Sequence, residues 1–445
     1  MKQSRKKDKV REASVKCYLS VESENLFIQD ALSRINKSYH LKEYDKRRLK
    51  ELVTGAVKMK GALNFILEHF SKHKLSRWTK ACLILGLYQL VYNERIPDYA
   101  AVNEFVQLAA RYDNPGAASL VNAVLRRYLR ESDSIEYPDV NRDPSGHIQY
   151  CYSLPQWIAD YWIEAFGIED AIKLAEWANS HQYPSLRFNS LEKRSPDDNK
   201  LTNQGFLRNP HFPDYYQYKG GGDPRDTDIF LNYPVYFQDP SAGFAAKLAG
   251  LEPEIIVFDI GAAPGGKTIN CYEQMEGKGT LFAIEINHGK LKGLKKNLYR
   301  MGINTVNIIG VDVKRFYPKK LADIALVDVP CSGMGTLARN ADMRWRLNPE
   351  DICKLQSRQE EILESASALV NEGGKLIYSA CTFTKEETQN VINRFLHNHQ
   401  EFKRIKLHNG KYNLKPESFT PNGDLMILPY HYDTDGAYVS LLQRR

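Results

Sequence analysis

The sequence after Leu251 alternates short apolar runs with amphipathic stretches, and this alternation limits the fold more than any other feature of the chain. Stretches such as KLKGLKKNLYRMG and EDICKLQSRQEEILESASALV carry apolar residues at helical spacing. Alternating strands and helices predict a parallel sheet covered by helices on both faces. Ligands of such sheets bind beyond the carboxyl ends of the strands. The predicted strands span residues 255–260, 280–286, 306–311, 322–329 and 375–381.

Acidic residues stand at or just after the ends of the first four predicted strands. They are Asp259, Glu285, Asp312 and Asp328. On one sheet edge they would form a polar rim around a single crevice. The loop 261–268 (GAAPGGKT) has small residues that let backbone N–H groups approach a ligand. Glu285 lies 24 residues after this loop begins, near the spacing at which nucleotide-binding units place an acid on ribose hydroxyls. The sequence therefore predicts a ligand that contains a ribose.

The same loop matches the phosphate-binding loop of nucleoside triphosphatases, with Gly-Lys-Thr ending at Thr268. Asp328 would then be the acid that holds magnesium. However, Pro264 removes one N–H donor that such a loop uses, and Glu285 has no standard role in that mechanism. A P-loop-like, nucleotide-binding RNA assembly factor is therefore the less favoured alternative. ATP binding that depends on Lys267 would support it.

Two of the seven cysteines directly follow predicted strands. Cys331 stands in Asp-Val-Pro-Cys-Ser, and Cys381 ends the stretch Gly-Gly-Lys-Leu-Ile-Tyr-Ser-Ala-Cys. Two thiols beside a ribose-binding crevice indicate covalent chemistry. We expect the other five cysteines to be packing residues, with all thiols free in a reducing compartment. Neither a CxxC pair nor a metal-binding histidine spacing occurs, so we expect no metal.

The first third of the chain has a helical pattern and a strongly basic charge. Apolar residues recur at helical spacing from about Leu26 to Leu129. Residues 1–130 contain 25 Lys and Arg against 13 Asp and Glu, a net charge of +12, whereas the remainder carries −5. This excess favours a nucleic-acid partner over a merely solvated lysine-rich surface. The longest apolar stretch is too short to span a bilayer, and no secretory signal is visible. We therefore expect a cytoplasmic protein without a membrane partner.

We predict a multi-domain chain in which a linker rich in Asp, Ser and Pro follows the helical region. Residues 209–226, dense in Gly, Pro and Tyr, are predicted to be a loop that either faces RNA or is a surface or disordered excursion. The predicted divisions are 1–135 for the helical domain, 136–150 for the linker, 151–250 for a small α+β subdomain and 251–445 for the α/β domain.

Over almost its whole length the chain resembles the RNA 5-methylcytosine methyltransferases of the RsmB (Fmu/Sun) type. Ala-Ala-Pro-Gly-Gly-Lys at 262–267, Asp-x-Pro-Cys-Ser at 328–332 and the second cysteine after a Gly-Gly strand occur in the family's order. LILGLYQLVY and LVNAVLRRYL resemble the NusB-type RNA-binding module of this family. The chain departs from the family pattern at Gly261, which is usually Cys, at Ala380, which is usually Thr, and at Ala338 and Ala341 in the usual Arg-Arg-x-Pro-Asp stretch.

The resemblance implies a fold with an all-α NusB-like N-terminal bundle, a small α+β middle subdomain and a C-terminal α/β Rossmann-like class I methyltransferase domain. It implies methyl transfer from S-adenosylmethionine to C5 of a cytosine in RNA, and the fused NusB-like part favours small-subunit (16S) ribosomal RNA. A tRNA substrate stays an alternative, and a non-catalytic RNA-binding factor is disfavoured by the presence of both cysteines. We expect a monomer.

The resemblance also assigns roles to individual residues. Cys381 would attack C6 of the base, and Cys331 would assist product release, whereas spacing alone does not distinguish the two thiols. Asp328, three residues before Cys331, would hydrogen-bond the cytosine N3/N4 edge. Glu285 would bind the ribose hydroxyls and Asp312 the adenine amino group, while Lys267 would either act on a thiol or substrate or be solvated. The expected cofactor-binding residues are Gly261, Ala262, Ala263, Pro264, Gly265, Gly266, Lys267, Glu285, Asp312 and Asp328.

Overall fold

The computed structural model describes residues 8–93, 96–192, 196–408 and 414–445. The chain forms two compact units, of which unit 1 contains Met1–Asn179 and Asn340–Arg346, and unit 2 contains Ser180–Arg339 and Leu347–Arg445. The basic residues 1–7 lie outside the described residues. The predicted domain borders at residues 135, 150 and 250 stay predictions, since one compact unit can hold more than one domain. In the described ranges no helix is long and apolar enough to cross a membrane.

Unit 1 is built from helices, as the apolar periodicity predicts. The central helix α5 is buried on nearly all sides because it is apolar all round, and Ser76 caps it by accepting a hydrogen bond from Thr79 N at 3.1 Å. The helix α1 was not predicted; it begins where the Asp8 side chain accepts hydrogen bonds from two backbone N–H groups. The helices are α1 (Lys9–Ser23), α2 (Ile28–Tyr39), α3 (Glu43–Lys58), α4 (Lys60–Phe70), α5 (Arg77–Tyr92), α6 (Asp98–Tyr112), α7 (Pro115–Glu131), α8 (Pro144–Cys151), α9 (Gln156–Phe166) and α10 (Ile168–Asn179).

The segment 340–346 belongs to unit 1 although the chain on either side belongs to unit 2. Asp342 accepts a hydrogen bond from Ile28 N at 3.2 Å, and the Trp345 indole donates to Val57 O at 2.7 Å. Arg344 is fully buried and donates to Ala178 O at 2.7 Å. These contacts fix a seven-residue segment to the helices of unit 1.

The first part of unit 2 contains a small antiparallel sheet with the strand order β2-β3-β1-β4. The prediction of a loop over residues 209–226 is wrong in part, because Tyr215–Tyr218 forms the strand β3. Its tyrosine side chains are buried in this sheet and cannot stack on RNA. The elements are β1 (Ser185–Phe188), α11 (Asp198–Asn203), β2 (Phe206–Arg208), β3 (Tyr215–Tyr218), α12 (Asp228–Asn232), β4 (Val235–Phe237) and α13 (Phe244–Ala249).

The larger sheet of unit 2 has the order β10-β12-β9-β8-β5-β6-β7, with β11 paired to β12. The five predicted strands are present and pair in parallel, but β10, β11 and β12 add antiparallel pairs, so the sheet is mixed and not purely parallel. The elements are β5 (Ile256–Ile260), α14 (Gly266–Gln274), β6 (Thr280–Ile284), α15 (His288–Arg300), β7 (Asn307–Ile309), β8 (Ala322–Asp328), α16 (Met343–Arg346), α17 (Pro349–Ser367), β9 (Val370–Ala380), α18 (Gln389–Asn398), β10 (Phe402–Ile405), β11 (Leu425–Ile427) and β12 (Ala437–Arg444). Of these, α16 belongs to unit 1.

Side chains of β5 alternate between the two faces of this sheet, as strand geometry requires. Phe258 and Ile260 pack in the same apolar cluster as Leu363 of α17 and Val391 of α18. Val257 packs on the other face, in the cluster that includes Cys271 of α14. Both faces are therefore covered, and the open side is the edge at which the parallel strands end.

Candidate active site

The loop that follows β5 has a backbone that requires glycine at two positions. Gly261 has a φ of +80° and Gly265 a φ of +112°, a region that side-chain-bearing residues rarely adopt. A Cβ on Gly261 would also lie 2.2 Å from the backbone oxygen of Asp328. The N–H groups of Gly261 and Ala262 donate to Ile284 O at 2.9 and 3.1 Å. The loop is therefore held against the end of β6.

A cavity of about 660 Å³ opens beside this loop, at the ends of β5, β6 and β8. Three of the predicted strand-end acids, Glu285, Asp312 and Asp328, line it together. The lining also contains apolar residues, which suit a flat heterocycle. Sequence reasoning missed the charged residues that α17 contributes to the lining. The lining includes Gly261, Ala263, Ile286, Lys290, Val313, Val329, Lys354, Arg358 and Ile362.

Glu285 is fixed although its carboxylate borders the cavity. One carboxylate oxygen accepts a hydrogen bond from Asn287 N at 2.7 Å and the other from Ala263 N at 3.3 Å. The side chain is only 5 % exposed. Such an anchored carboxylate can accept two hydroxyl hydrogens of a ribose without moving.

Asp259 does not belong to the polar rim that the sequence predicts. It is fully buried, and one carboxylate oxygen accepts a hydrogen bond from the Thr268 hydroxyl at 2.5 Å. Burial raises the pKa of Asp259 to about 7. The prediction failed because Asp259 precedes the strand end by one residue, so that its side chain points to the α14 face and not to the edge.

A second cavity, of about 240 Å³, lies on the other side of the loop. Asp328 and Ala263 line both cavities, whereas Lys267 and Cys381 line only the second one. The predicted loop residues Ala262, Pro264 and Gly266 also face the second cavity, and Gly265 lines neither. Asp328 therefore stands at the wall between the two spaces.

Lys267 forms an ion pair with Asp328, with 2.9 Å between Nζ and Oδ2. Only 14 % of the lysine side chain is exposed, so the solvated alternative for Lys267 is wrong. Burial lowers the pKa of Lys267, but the Asp328 carboxylate outweighs it and the pKa is raised above its ordinary value. Lys267 is thus a fixed cation at the second cavity.

The two cysteines that follow strand ends are brought into contact. The sulfurs of Cys331 and Cys381 lie 2.9 Å apart, both thiols are free, and Cys381 is the exposed member. A hydrogen bond with Cys381, burial and the charge of Glu387 all raise the pKa of the Cys331 thiol well above its ordinary value. Cys331 is accordingly suited to remain protonated beside an accessible second thiol.

Sequence reasoning missed an ionic cluster at the second cavity. Arg339 donates to Asp239 at 2.8 Å and to Asp435 at 2.9 Å, and both acids line the cavity. Burial and the neighbouring Asp239 raise the pKa of Asp435 to about 7. The three residues are far apart in sequence, so no local pattern indicates this cluster.

Within the described residues, no group of three or more His, Cys, Asp or Glu side chains could hold a metal ion. The first cavity instead fits S-adenosylmethionine. Its three strand-end carboxylates suit a ligand that carries ribose hydroxyls, an adenine amino group and positive charge, and its apolar walls suit a purine.

The strand order, the glycine-rich loop after β5 and the acid-lined cavity together define a class I S-adenosylmethionine-dependent methyltransferase. Residues 246–443 match the family model described as "16S rRNA methyltransferase RsmB/F", and residues 8–130 match the NusB family. The chain belongs to the ribosomal RNA small subunit methyltransferase B family, and is an RNA methyltransferase of that family. The predicted NusB-like and methyltransferase parts and the predicted cofactor are thereby confirmed.

Relatives and solved structures agree with this assignment. The chain is 30% identical to the Bacillus subtilis (strain 168) protein "Probable ribosomal RNA small subunit methyltransferase B" over 99% of this chain and 100% of that one. The crystal structure of PH0851 has a TM-score of 0.78 at 23% identity and covers 98% of both chains. NSun6 from Pyrococcus horikoshii, solved with SFG, has a TM-score of 0.58 at 18% identity over 66% of this chain and 99% of that one. These two structures show the shared fold.

Proposed function

We propose that this enzyme methylates C5 of a cytosine in small-subunit ribosomal RNA through a covalent adduct between Cys381 and C6. The observation that carries the proposal is the pair of free thiols, 2.9 Å apart, of which Cys381 lines the second cavity, and this cavity shares Asp328 with the first one. Methyl transfer to an oxygen or an amino nitrogen needs no thiol, whereas the electron-poor C5 of cytosine needs activation by a nucleophile that adds to C6.

The chemistry follows from the weak nucleophilicity of cytosine C5. A thiolate that adds to C6 breaks the aromaticity of the ring and makes C5 enamine-like. S-adenosylmethionine supplies the methyl group that C5 then takes. Loss of the C5 proton to a base and cleavage of the C6–S bond restore the aromatic ring and return the thiolate.

We assign each residue a part in this mechanism, and its contacts support the assignment. Cys381 is the accessible thiol and serves as the nucleophile, while Cys331 holds a proton and assists release of the adduct. Asp328 would accept a hydrogen bond from the N3/N4 edge of the base, which stabilises a protonated ring and makes C6 more electrophilic. Lys267 holds Asp328 in place and supplies positive charge near the thiols.

The cofactor would occupy the first cavity. The loop 261–267 would surround its methionine end, Glu285 would bind the ribose hydroxyls and Asp312 the adenine amino group. Because Asp328 lines both spaces, it would lie between the cofactor and the base.

The target base must be unpaired or flipped out, since C6 is not accessible within a stacked duplex. The NusB-like helices would contribute salt-sensitive affinity for the phosphate backbone without selecting the base.

Bisulfite sequencing of RNA from cells with and without the protein tests the proposal. We expect one 5-methylcytosine in small-subunit ribosomal RNA to disappear when the protein is removed. If a 5-methylcytosine disappears only from tRNA, the substrate is tRNA and not ribosomal RNA. If all 5-methylcytosines remain and another methylated nucleotide disappears, the proposed reaction is contradicted.

A further inference from the structure

Glu387 is a fully buried acid in the turn between β9 and α18, six residues after Cys381. A carboxylate is costly to bury unless hydrogen-bond donors surround it. The donors around Glu387 come from the two loops that carry the active-site cysteines, and from α17.

The Glu387 carboxylate accepts hydrogen bonds on both oxygens. Oε1 accepts from Ser332 N at 2.7 Å and from the Gln359 amide at 3.0 Å. Oε2 accepts from the hydroxyls of Ser332 at 2.5 Å, Thr384 at 2.8 Å and Thr382 at 3.4 Å. The carboxylate is thereby satisfied without water.

Two of these donors directly follow the active-site thiols. Ser332 is the residue after Cys331, and Thr382 is the residue after Cys381. Their hydroxyls also lie 3.0 Å from each other. A single carboxylate therefore bridges two loops that stand 50 residues apart in the sequence.

We infer that Glu387 is a positioning residue that sets the relative placement of the nucleophilic and the releasing thiol. The inference rests on the proposed covalent mechanism. Through Ser332, Glu387 would position the adjacent Cys331, which assists release. Through Thr382, it would position the adjacent Cys381, which attacks the base. The charge of Glu387 also contributes to the raised pKa of Cys331, which keeps a proton on the releasing thiol.

Backbone packing supports the same junction. Gly335 N donates to Cys381 O at 3.1 Å, and Gly436 N donates to Gly335 O at 2.7 Å. A Cβ on Gly335 would lie 2.9 Å from Cys381 O, so the loops approach each other closely. Because the main chains are in such close contact, a displacement of Ser332 would move the sulfur of the adjacent Cys331, and a displacement of Thr382 would move that of Cys381.

The test compares Glu387→Ala, Glu387→Gln, Ser332→Ala and Thr382→Ala with the control Glu386→Gln, which removes a charge one residue away. Four quantities are measured: kcat and KM for the RNA, the rate at which covalent complex forms with RNA that contains 5-fluorocytosine at the target, the amount of covalent complex present with unmodified RNA, and the dissociation constant of S-adenosylmethionine. Because fluorine at C5 blocks release, the first complex reports attack, whereas the complex with unmodified RNA reports release. Cofactor affinity reports whether unit 2 remains folded.

We expect Glu387→Ala to lower kcat about 100-fold with cofactor affinity and KM nearly unchanged, since small displacements of reacting groups cost this much. Glu387→Gln should recover at least part of the loss, because the amide oxygen can still accept from Ser332 N. Thr382→Ala should slow formation of the complex with 5-fluorocytosine RNA, whereas Ser332→Ala should let the complex with unmodified RNA accumulate. The control should behave like the wild type.

The inference is overturned if Glu387→Ala keeps the wild-type kcat, or if it loses kcat only in proportion to cofactor affinity. If Glu387→Ala does not fold, the hydroxyl variants decide: opposite effects on the complex support the inference, and wild-type behaviour of both overturns it. A wild-type enzyme that methylates RNA but forms no complex would instead contradict the proposed covalent mechanism.

Discussion

The Asp328 carboxylate is paired with Lys267 at 2.9 Å, and Asp328 lines both the first and the second cavity. One ion pair is thus in a position to affect both cavities. Both residues belong to regular secondary structure, since Lys267 is in α14 and Asp328 is the last residue of β8.

Replacement of either member of this pair should disrupt the same function. We expect Asp328→Asn and Lys267→Met each to lower kcat/KM by about 100-fold, and the double variant to lose little more, because the two side chains act as a unit. Steady-state kinetics of all three variants measure the coupling. Fully additive losses would show that the two residues act separately.

Replacement of the two cysteines should block different steps of the reaction. Cys381→Ala should abolish methylation and the covalent RNA complex, because the nucleophile is lost. Cys331→Ala should accumulate that complex, because release is impaired. Denaturing gel electrophoresis of enzyme mixed with labelled RNA separates these outcomes, and Cys353→Ala, an exposed cysteine on α17, serves as the control. A fully active Cys381→Ala variant would refute the assignment.

Asp259→Asn should change how stability depends on pH. Burial raises the pKa of Asp259 to about 7 in the folded protein, from an ordinary 3.8. The folded state therefore holds this proton more tightly than the unfolded state, so the free energy of unfolding falls as the pH rises from about 4 to about 7. The total cost is on the order of 4 kcal/mol above that range.

Because asparagine stays neutral, the Asp259→Asn variant should be more stable than the wild type at about pH 8 and similar to it near pH 4. Urea unfolding over this pH range measures the difference. An unchanged difference between variant and wild type at all pH values would contradict the raised pKa.

The basic surface of the NusB-like helices should carry the salt dependence of RNA binding. Lys42 precedes α3 and Arg47 and Lys50 lie on it, and all three are exposed. Their replacement by alanine should lower the slope of log affinity against log salt by about 0.7 for every phosphate of single-stranded RNA that is no longer neutralised. Replacement of three exposed lysines of α15, Lys292, Lys295 and Lys296, is the matched control. An equal or larger change in the control would place the RNA-binding surface on unit 2.

The strands and three of the four acids at the sheet edge could be predicted from the sequence because their signals are local. Apolar runs, the acids that follow them and the glycines of the loop after β5 lie within a few residues of one another. Gly261 differs from the usual cysteine of the family, and its positive φ and close approach to Asp328 O explain why glycine suits this chain. Asp259 was misplaced because a shift of one residue along a strand reverses the face.

Other parts of the site depend on pairings that no local pattern contains. Ser332 and Glu387 are 55 residues apart, and Asp239 and Arg339 are 100 residues apart. The antiparallel strand β12 likewise joins β9 only in the folded sheet. A single sequence shows which residue types are present, but the contacts between distant residues depend on the topology of the folded chain. The predicted monomeric state stays a prediction.

The segment 340–346 has a consequence for how this protein can be cut or recombined. The chain passes from unit 2 into unit 1 after Arg339 and returns at Leu347, and Trp345 and Arg344 are hydrogen-bonded to unit 1 helices. A truncation before residue 180 would remove the hydrogen-bond partners of both side chains from the remaining fragment. The NusB-like part is therefore no detachable module at the end of the chain, and a functional chimera would have to exchange residues 340–346 together with it.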